Sequence, residues 1–312
     1  MGCYLNRGQC LPKIETNVAA KTPVSLAQAE EFTRNLARSH YENFTVGTFL
    51  LPREKRQHIY NIYAFARIGD DLADEIAGHT ESLSALKAYE DRLQACCDGH
   101  PESAVFTALY NTIQTFDIPI DPFQRLLKAF RQDRLKNRYE TFDEVLDYCQ
   151  NSANPVGELF LTIFDYRDRA LLPFSDAVCT ALQLTNFWQD VSRDALKNRI
   201  YIPQEDLRRF QVTEEEIFSE HFSGKFRKLI RFEVTRTRER FDAGKKLFQY
   251  LKKDISLDVR LFVSGGEAIL DKIEKQNYDV LSGRPSLSKW DRARLFLRAW
   301  WIVRKGKNGG QS

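Results

Sequence analysis

At 312 residues, 43% hydrophobic and 29% charged, the chain lies in the ordinary globular range, which argues against disordered, collagen-like and disulfide-scaffold classes. A formal net charge of +3 is too small for the dense basic face of a nucleic-acid binder, so no nucleic-acid partner is expected. Six cysteines in a chain of this length make no spaced framework, and Cys149 and Cys179 fall in apolar helical patterns where a reduced thiol behaves as a small hydrophobe. The polar N-terminal tail with Cys3 and Cys10 lacks the apolar stretch of a secretory signal, and no run approaches the roughly 18 apolar residues of a membrane span. A reducing, cytoplasmic setting is expected.

In chain order the periodicity predicts helices near 25–41, 53–77, 82–97, 102–116, 122–138, 142–164, 168–197, 224–252, 257–282 and 287–304. Asp121-Pro122 reads as an N-cap followed by proline at the first helical position. Thr141 with Glu144, and Thr213 with Glu216, read as capping boxes. Pro155 removes a backbone donor and clashes with the preceding turn, so Asn154-Pro155 predicts a kink in the 142–164 helix. No alternating strand pattern and no linker rich in Gly, Ser or Pro appears. The expected organisation is a tail over 1–24, one all-α domain over 25–284, and a basic amphipathic helix with its tail over 285–312.

Two predicted helices carry narrow polar stripes. Tyr63, Arg67, Asp70 and Asp74 lie within about 60° on one helix whose other sides are apolar through Ile59, Ile62, Ala64, Phe65 and Ala66. Asp70 and Asp74 repel as a same-face pair, at a cost of a few tenths of a kcal/mol unless a cation compensates. Gln183, Asn186, Asp190 and Asp194 lie within roughly 80° on a second helix, among Val178, Ala181, Leu182, Leu184, Phe187, Trp188 and Val191. A solvated charged face explains the first stripe less well than an internal one, and the second stripe is best placed on a cavity.

Buried carboxylates need partners, and two sets of them call for a divalent ion. Oxygen ligands without clustered His or Cys favour Mg²⁺, which bridges carboxylates to substrate phosphates, so a diphosphate substrate follows. Arg67, Lys197 and Arg199 could neutralise the remaining charge, although surface cations at helix C-termini explain them equally well. The five histidines show no metal spacing and no Gly-rich phosphate loop is present. Diphosphate departure to a carbocation would need a dry pocket with aromatic faces. Phe44, Phe65, Phe160, Phe187 and Trp188 are available, each of them better explained individually as core packing.

The ordered motifs LLP at 50–52, IYAFARIGDDLADE at 62–75, RYETF at 138–142, YCQNSANPVG at 148–157, LQLTNFWQDVSRD at 182–194 and RIYIP at 199–203 resemble the squalene and phytoene synthase family. The resemblance implies a single-domain, all-α isoprenoid synthase fold, a helical bundle around a central cavity. Within the family, ENF at 42–44, SANPVG at 152–157 and NFWQD at 186–190 are most similar to the HpnC-type hydroxysqualene synthases of bacterial hopanoid and squalene biosynthesis.

That likeness implies Mg²⁺-dependent ionisation of presqualene diphosphate and capture of the cation by water, giving hydroxysqualene and diphosphate with no NADPH. It places Asp70, Asp71, Asp74, Asp190 and Asp194 as metal ligands. It assigns Phe44, Tyr63, Arg67, Tyr148, Gln183, Asn186, Arg199 and Tyr201 to substrate binding. Glu75 stands where many members have Asp, and Gln189 and Arg193 replace the common Arg and Glu beside the second motif. A neutral Gln189 suits one diphosphate better than two.

The alternatives are a presqualene diphosphate, squalene or phytoene synthase condensing two prenyl diphosphates such as farnesyl diphosphate, a cyclase of one linear diphosphate, and a non-catalytic scaffold of the same fold. The intact aspartate motifs weigh against the last. The 289–307 stretch mixes Trp290, Phe296, Trp300 and Trp301 with Arg292, Arg294, Arg298, Arg304 and Lys305. It reads either as a peripheral contact with the inner membrane surface or as a terminal helix docked on the core.

Overall fold

A computed structural model describes residues 24–39 and 51–305. Phe44 and the ENF motif, and all but the last two residues of LLP, lie outside them. The described helices, in chain order, are α1 Leu26–Ser39, α2 Arg53–Asp74, α3 His79–Cys97, α4 Ala104–Phe116, α5 Asp121–Leu135, α6 Phe142–Ser152, α7 Asn154–Ile163, α8 Leu172–Gln189, α9 Val191–Leu196, α10 Gln204–Phe210, α11 Glu214–Phe218, α12 Gly224–Gly244, α13 Lys253–Lys275 and α14 Lys289–Lys305. Short 3₁₀ turns occupy Arg169–Leu171 and Lys245–Gln249. No strand forms among the described residues; one isolated parallel bridge joins Arg138 and Ile200. The all-α expectation holds.

Contacts divide the chain into two interleaved units. Among the described residues the first takes 24–39, 52–135 and 158–167, and the second takes 51, 136–157 and 168–305. In the first, α2 is buried on nearly every side and packs with α1, α3, α4 and α5. Phe65 stacks on Tyr89, with centroids 5.2 Å apart, and meets Phe106 and Phe123 edge-on. Burial of each such ring contributes about 1.5–3 kcal/mol. Asn61, fully buried, accepts from Thr33 Oγ1 at 2.7 Å and donates to the Ala108 carbonyl and Thr112 Oγ1, both at 3.0 Å. This network fixes α2 against α1 and α4, because a buried amide left unpaired would cost about 1–3 kcal/mol.

In the second unit α8 is the central helix and α12 its main partner. Trp188, fully buried, donates from Nε1 to Thr237 Oγ1 at 2.8 Å. At the end of α12 the chains come too close for any side chain: a Cβ on Gly244 would lie 2.9 Å from the Val178 backbone nitrogen. Backbone cannot step aside as a side-chain tip can. Gly244→Ala is therefore expected to destabilise the protein by about 1–3 kcal/mol, read as a lower urea midpoint at unchanged m-value. Gly157, expected to permit close approach, does so; a Cβ there would collide with Ser175 and Cys179 on α8.

The predicted break at Asn154-Pro155 separates α6 from α7 at Ala153. Thr213 and Glu216 form the full capping box of α11. At α6 only half of the expected box exists. Thr141 Oγ1 accepts from the Glu144 N–H, while the Glu144 carboxylate takes the Glu140 N–H at 2.6 Å and Lys136 at 2.9 Å. The helix predicted over 168–197 is interrupted at Asp190, where the backbone reaches φ −109° and ψ 17°. No Gly or Pro marks that position; the side chains of Gln189 and Asp190 are both held by the 284–285 segment, a long-range restraint. The described cysteines Cys96, Cys97, Cys149 and Cys179 are free thiols, and burial pushes Cys96, Cys149 and Cys179 up to about 12.

Candidate active site

The first aspartate motif closes α2. The i, i+4 spacing sets Asp70 and Asp74 on one face, both partly exposed. Burial, then the negative charges of Asp74 and of Asp133 on α5, push the Asp70 carboxyl up to about 7, against the opposing pull of Arg67. The preceding Gly69 packs closely on α5, where a Cβ would lie 2.8 Å from the Phe130 ring.

Asp71 is more deeply buried than Asp70 and Asp74. One residue further on, about 100° round the helix, its carboxylate is buried and salt-bridged to Arg67, whose guanidinium also lies 3.8 Å from Asp70. Asp71 is engaged by an internal cation, and Arg67, only 5% exposed, is held beneath the acidic face. Tyr63 lies partly exposed one turn earlier on the same side.

The second motif spans the α8–α9 junction. Asp190 is 6% exposed, and both of its carboxylate oxygens are taken by Arg284, Nε to Oδ1 at 2.5 Å and Nη2 to Oδ2 at 3.0 Å. Arg193 lies 3.9 Å from Oδ1. Gln183 is buried on α8, while Asn186 and Asp194 are partly exposed. Gln189 is buried and donates to the Pro285 carbonyl.

Beside this junction, the segments around Tyr139 and Tyr201 are joined in register. Ile200 donates to the Asn137 carbonyl at 3.0 Å and Gln204 to that of Tyr139 at 2.8 Å, while Arg138 holds the Asn198 carbonyl and Glu214. The joined segments build an aromatic wall. Phe187 and Tyr201 stack at 3.8 Å, Tyr139 stacks on Tyr201 at 5.6 Å, and Tyr148 lies 5.7 Å from Tyr201. Arg199 follows directly from α9, its N–H donating to the Asp194 carbonyl at 2.9 Å.

Of the aromatic candidates, Phe187 belongs to this wall. Phe65 and Trp188 are fully buried in their own cores, and Phe160 packs on Phe164 at 4.9 Å. Arg284, Tyr139 and Asp133 were not singled out by sequence reasoning. Arg284 stands 94 residues from its partner, so no local spacing signals it. Tyr139 lies within the RYETF motif, which was its available signal.

No three His, Cys, Asp or Glu side chains among the described residues converge tightly enough to enclose a metal alone. The carboxylates come in pairs, a donor set suited to an ion that keeps waters and completes its shell from substrate oxygens, as Mg²⁺ does. Asp70 and Asp74 present carboxylates on one partly exposed face, oxygen donors of the kind such an ion takes. The residues fit Mg²⁺.

The architecture is the terpenoid synthase fold. A ligand-bound dehydrosqualene synthase matches it at a TM-score of 0.83, covering 90% of this chain and 98% of that one; at 22% identity it bears on the fold alone. Squalene synthase HpnC from Alicyclobacillus acidocaldarius matches at a TM-score of 0.78 and 42% identity, over 83% of this chain and 97% of that one. Among curated proteins, a phytoene synthase of Arthrospira platensis is 32% identical over 86% of this chain and 92% of its own length. The 15-cis-phytoene synthase of Synechococcus elongatus is also 32% identical, over 85% and 90% respectively. Residues 37–291 match the squalene/phytoene synthase family, to which this chain belongs.

Proposed function

We propose that the protein converts presqualene diphosphate and water to hydroxysqualene and diphosphate, with Mg²⁺ and without NADPH. Asp70, Asp74, Asp190 and Asp194 would hold Mg²⁺, which when bound neutralises charge on the departing diphosphate. Asp71 keeps Arg67 in place beneath the first motif. Tyr139, Tyr148, Phe187 and Tyr201 supply an apolar wall that limits water around a carbocation, with Gln183, Asn186 and Arg199 as polar contacts beside it. The overall step breaks the carbon–oxygen bond to diphosphate, forms a carbon–oxygen bond from water and releases one proton.

The observation carrying the finer reading is Gln189. At a position where the wider family commonly has Arg, this side chain is neutral and spent on the Pro285 carbonyl. That position therefore adds no positive charge toward a second diphosphate, and the cations nearest Asp190 are Arg284 and Arg193. The 42% identity to squalene synthase HpnC supports a place on the squalene side of the family. Condensation of two linear diphosphates such as farnesyl diphosphate is the second reading, favoured by the resemblance to phytoene synthases.

The deciding experiment incubates purified protein with Mg²⁺ and either presqualene diphosphate or farnesyl diphosphate, without NADPH, and identifies products by mass spectrometry. Hydroxysqualene from presqualene diphosphate is expected. Efficient formation of presqualene diphosphate or phytoene-type hydrocarbon from a linear substrate would replace this reading with the second. Peripheral contact with an anionic bilayer through α14 belongs to the same proposal, supported by the exposed Trp290 and Leu297 on a helix that also carries Arg292 and Arg294. No described helix is long and apolar enough to cross a membrane.

A further inference from the structure

A carboxylate that serves as a metal ligand must present a lone pair to the ion. Asp190 has both oxygens engaged by the fork of Arg284, the bidentate arrangement in which a guanidinium matches a carboxylate best. The pairing is built into the fold. Arg284 sits on a turn whose backbone is tied down on both sides: Asp279 Oδ1 accepts the N–H groups of Leu281 at 3.2 Å and Ser282 at 3.0 Å, and Gln276 donates to the Gly283 carbonyl at 3.3 Å. Val280 and Leu281 are buried, and the next carbonyl, that of Pro285, is held by Gln189 from the residue preceding Asp190. Arg284 itself is 28% exposed along its side chain against 8% for Asp190, so the cation, not the carboxylate, is the partner with room to move.

We propose that Arg284 is an internal placeholder cation, neutralising Asp190 while metal is absent and competing with a divalent ion for the same two oxygens. The inference rests on the reading of Asp190 as a metal ligand. Its physical basis is that a buried carboxylate without a partner is costly, so the folded chain supplies one; a metal can then bind only by displacing it. Arg284 is thus a positioning residue that sets how readily the second motif accepts metal. An anion able to draw the guanidinium away would raise metal affinity by linkage.

The test measures Mn²⁺ binding to the substrate-free protein from the electron paramagnetic resonance signal of free Mn²⁺. It compares wild type, Arg284→Gln, Arg284→Lys, and Asp190→Asn in the wild-type and Arg284→Gln backgrounds. Arg284→Gln removes the competing charge and is expected to bind Mn²⁺ about 5- to 10-fold more tightly. Arg284→Lys keeps the charge without the fork and is expected to show a smaller gain, which also provides a readout should the Gln variant fold poorly. A merely structural arginine would give unchanged or weaker binding on replacement.

If neither Arg284 variant tightens binding while Asp190→Asn weakens it in the wild type, the placeholder role is overturned and Asp190 stands as a ligand. If Asp190→Asn changes Mn²⁺ binding in neither background, the metal-ligand reading of Asp190 falls as well. Tighter binding in Arg284→Gln that Asp190→Asn abolishes is the expected result.

Discussion

An Asp70→Asn protein is expected to lose about a thousandfold in kcat while remaining folded, measured as turnover of the diphosphate substrate at saturating Mg²⁺. Asparagine retains the shape of the carboxyl group and one of its acceptors but cannot bring negative charge to a metal. In metal-free protein the same substitution should be stabilising. Burial and the charge of Asp74 raise Asp70 from 3.8 to about 7, so folding favours its protonated form. For a group shifted upward, stability is fully present below the unfolded pKa and is lost as pH rises through the folded one. The wild type therefore loses stability between roughly pH 4 and pH 7, a loss that Asn cannot undergo. The Tm advantage of the variant should widen across that window and level off above it. A Tm difference independent of pH would show that Asp70 is not held in a charge-averse setting.

The second large effect concerns stability alone. Arg67→Met leaves the buried Asp71 carboxylate without the guanidinium that neutralises it, and breaking such a pair costs about 3–5 kcal/mol, observable as a fall in the urea midpoint. Adding Asp71→Asn to the variant should recover most of that loss, because the uncompensated charge disappears with it. If the double variant is no more stable than Arg67→Met, the cost lies in the packing of the arginine stem and not in charge.

Much of this was legible in the sequence. The stripe of Tyr63, Arg67, Asp70 and Asp74 on an otherwise apolar helix announced α2 as a buried element with a polar face, because helical period and residue type carry that information locally. Pro155 announced the α6–α7 break for the same reason. The interruption at Asp190 was not legible: its cause is the segment bearing Arg284 and Pro285, far away in sequence, and local propensity does not register a distant hydrogen bond. Asp71 shows how far pattern reading goes. Adjacent aspartates in a motif look equivalent on paper, yet the 100° turn between them leaves Asp70 on the partly exposed face and Asp71 against a buried arginine. Tyr139 and Tyr201 likewise became a wall only once the 137–140 and 198–204 segments were joined.

The interleaved chain path has a consequence for synthesis. The first unit is not closed when residue 135 leaves the ribosome; it still lacks residues 158–167, which are made only after a stretch that belongs to the second unit. Contacts such as that of Lys55 with the Ile163 carbonyl can form only after synthesis has passed beyond the first unit's helices, and non-local closure of this kind slows folding. Neither unit can be cut out as a single contiguous fragment.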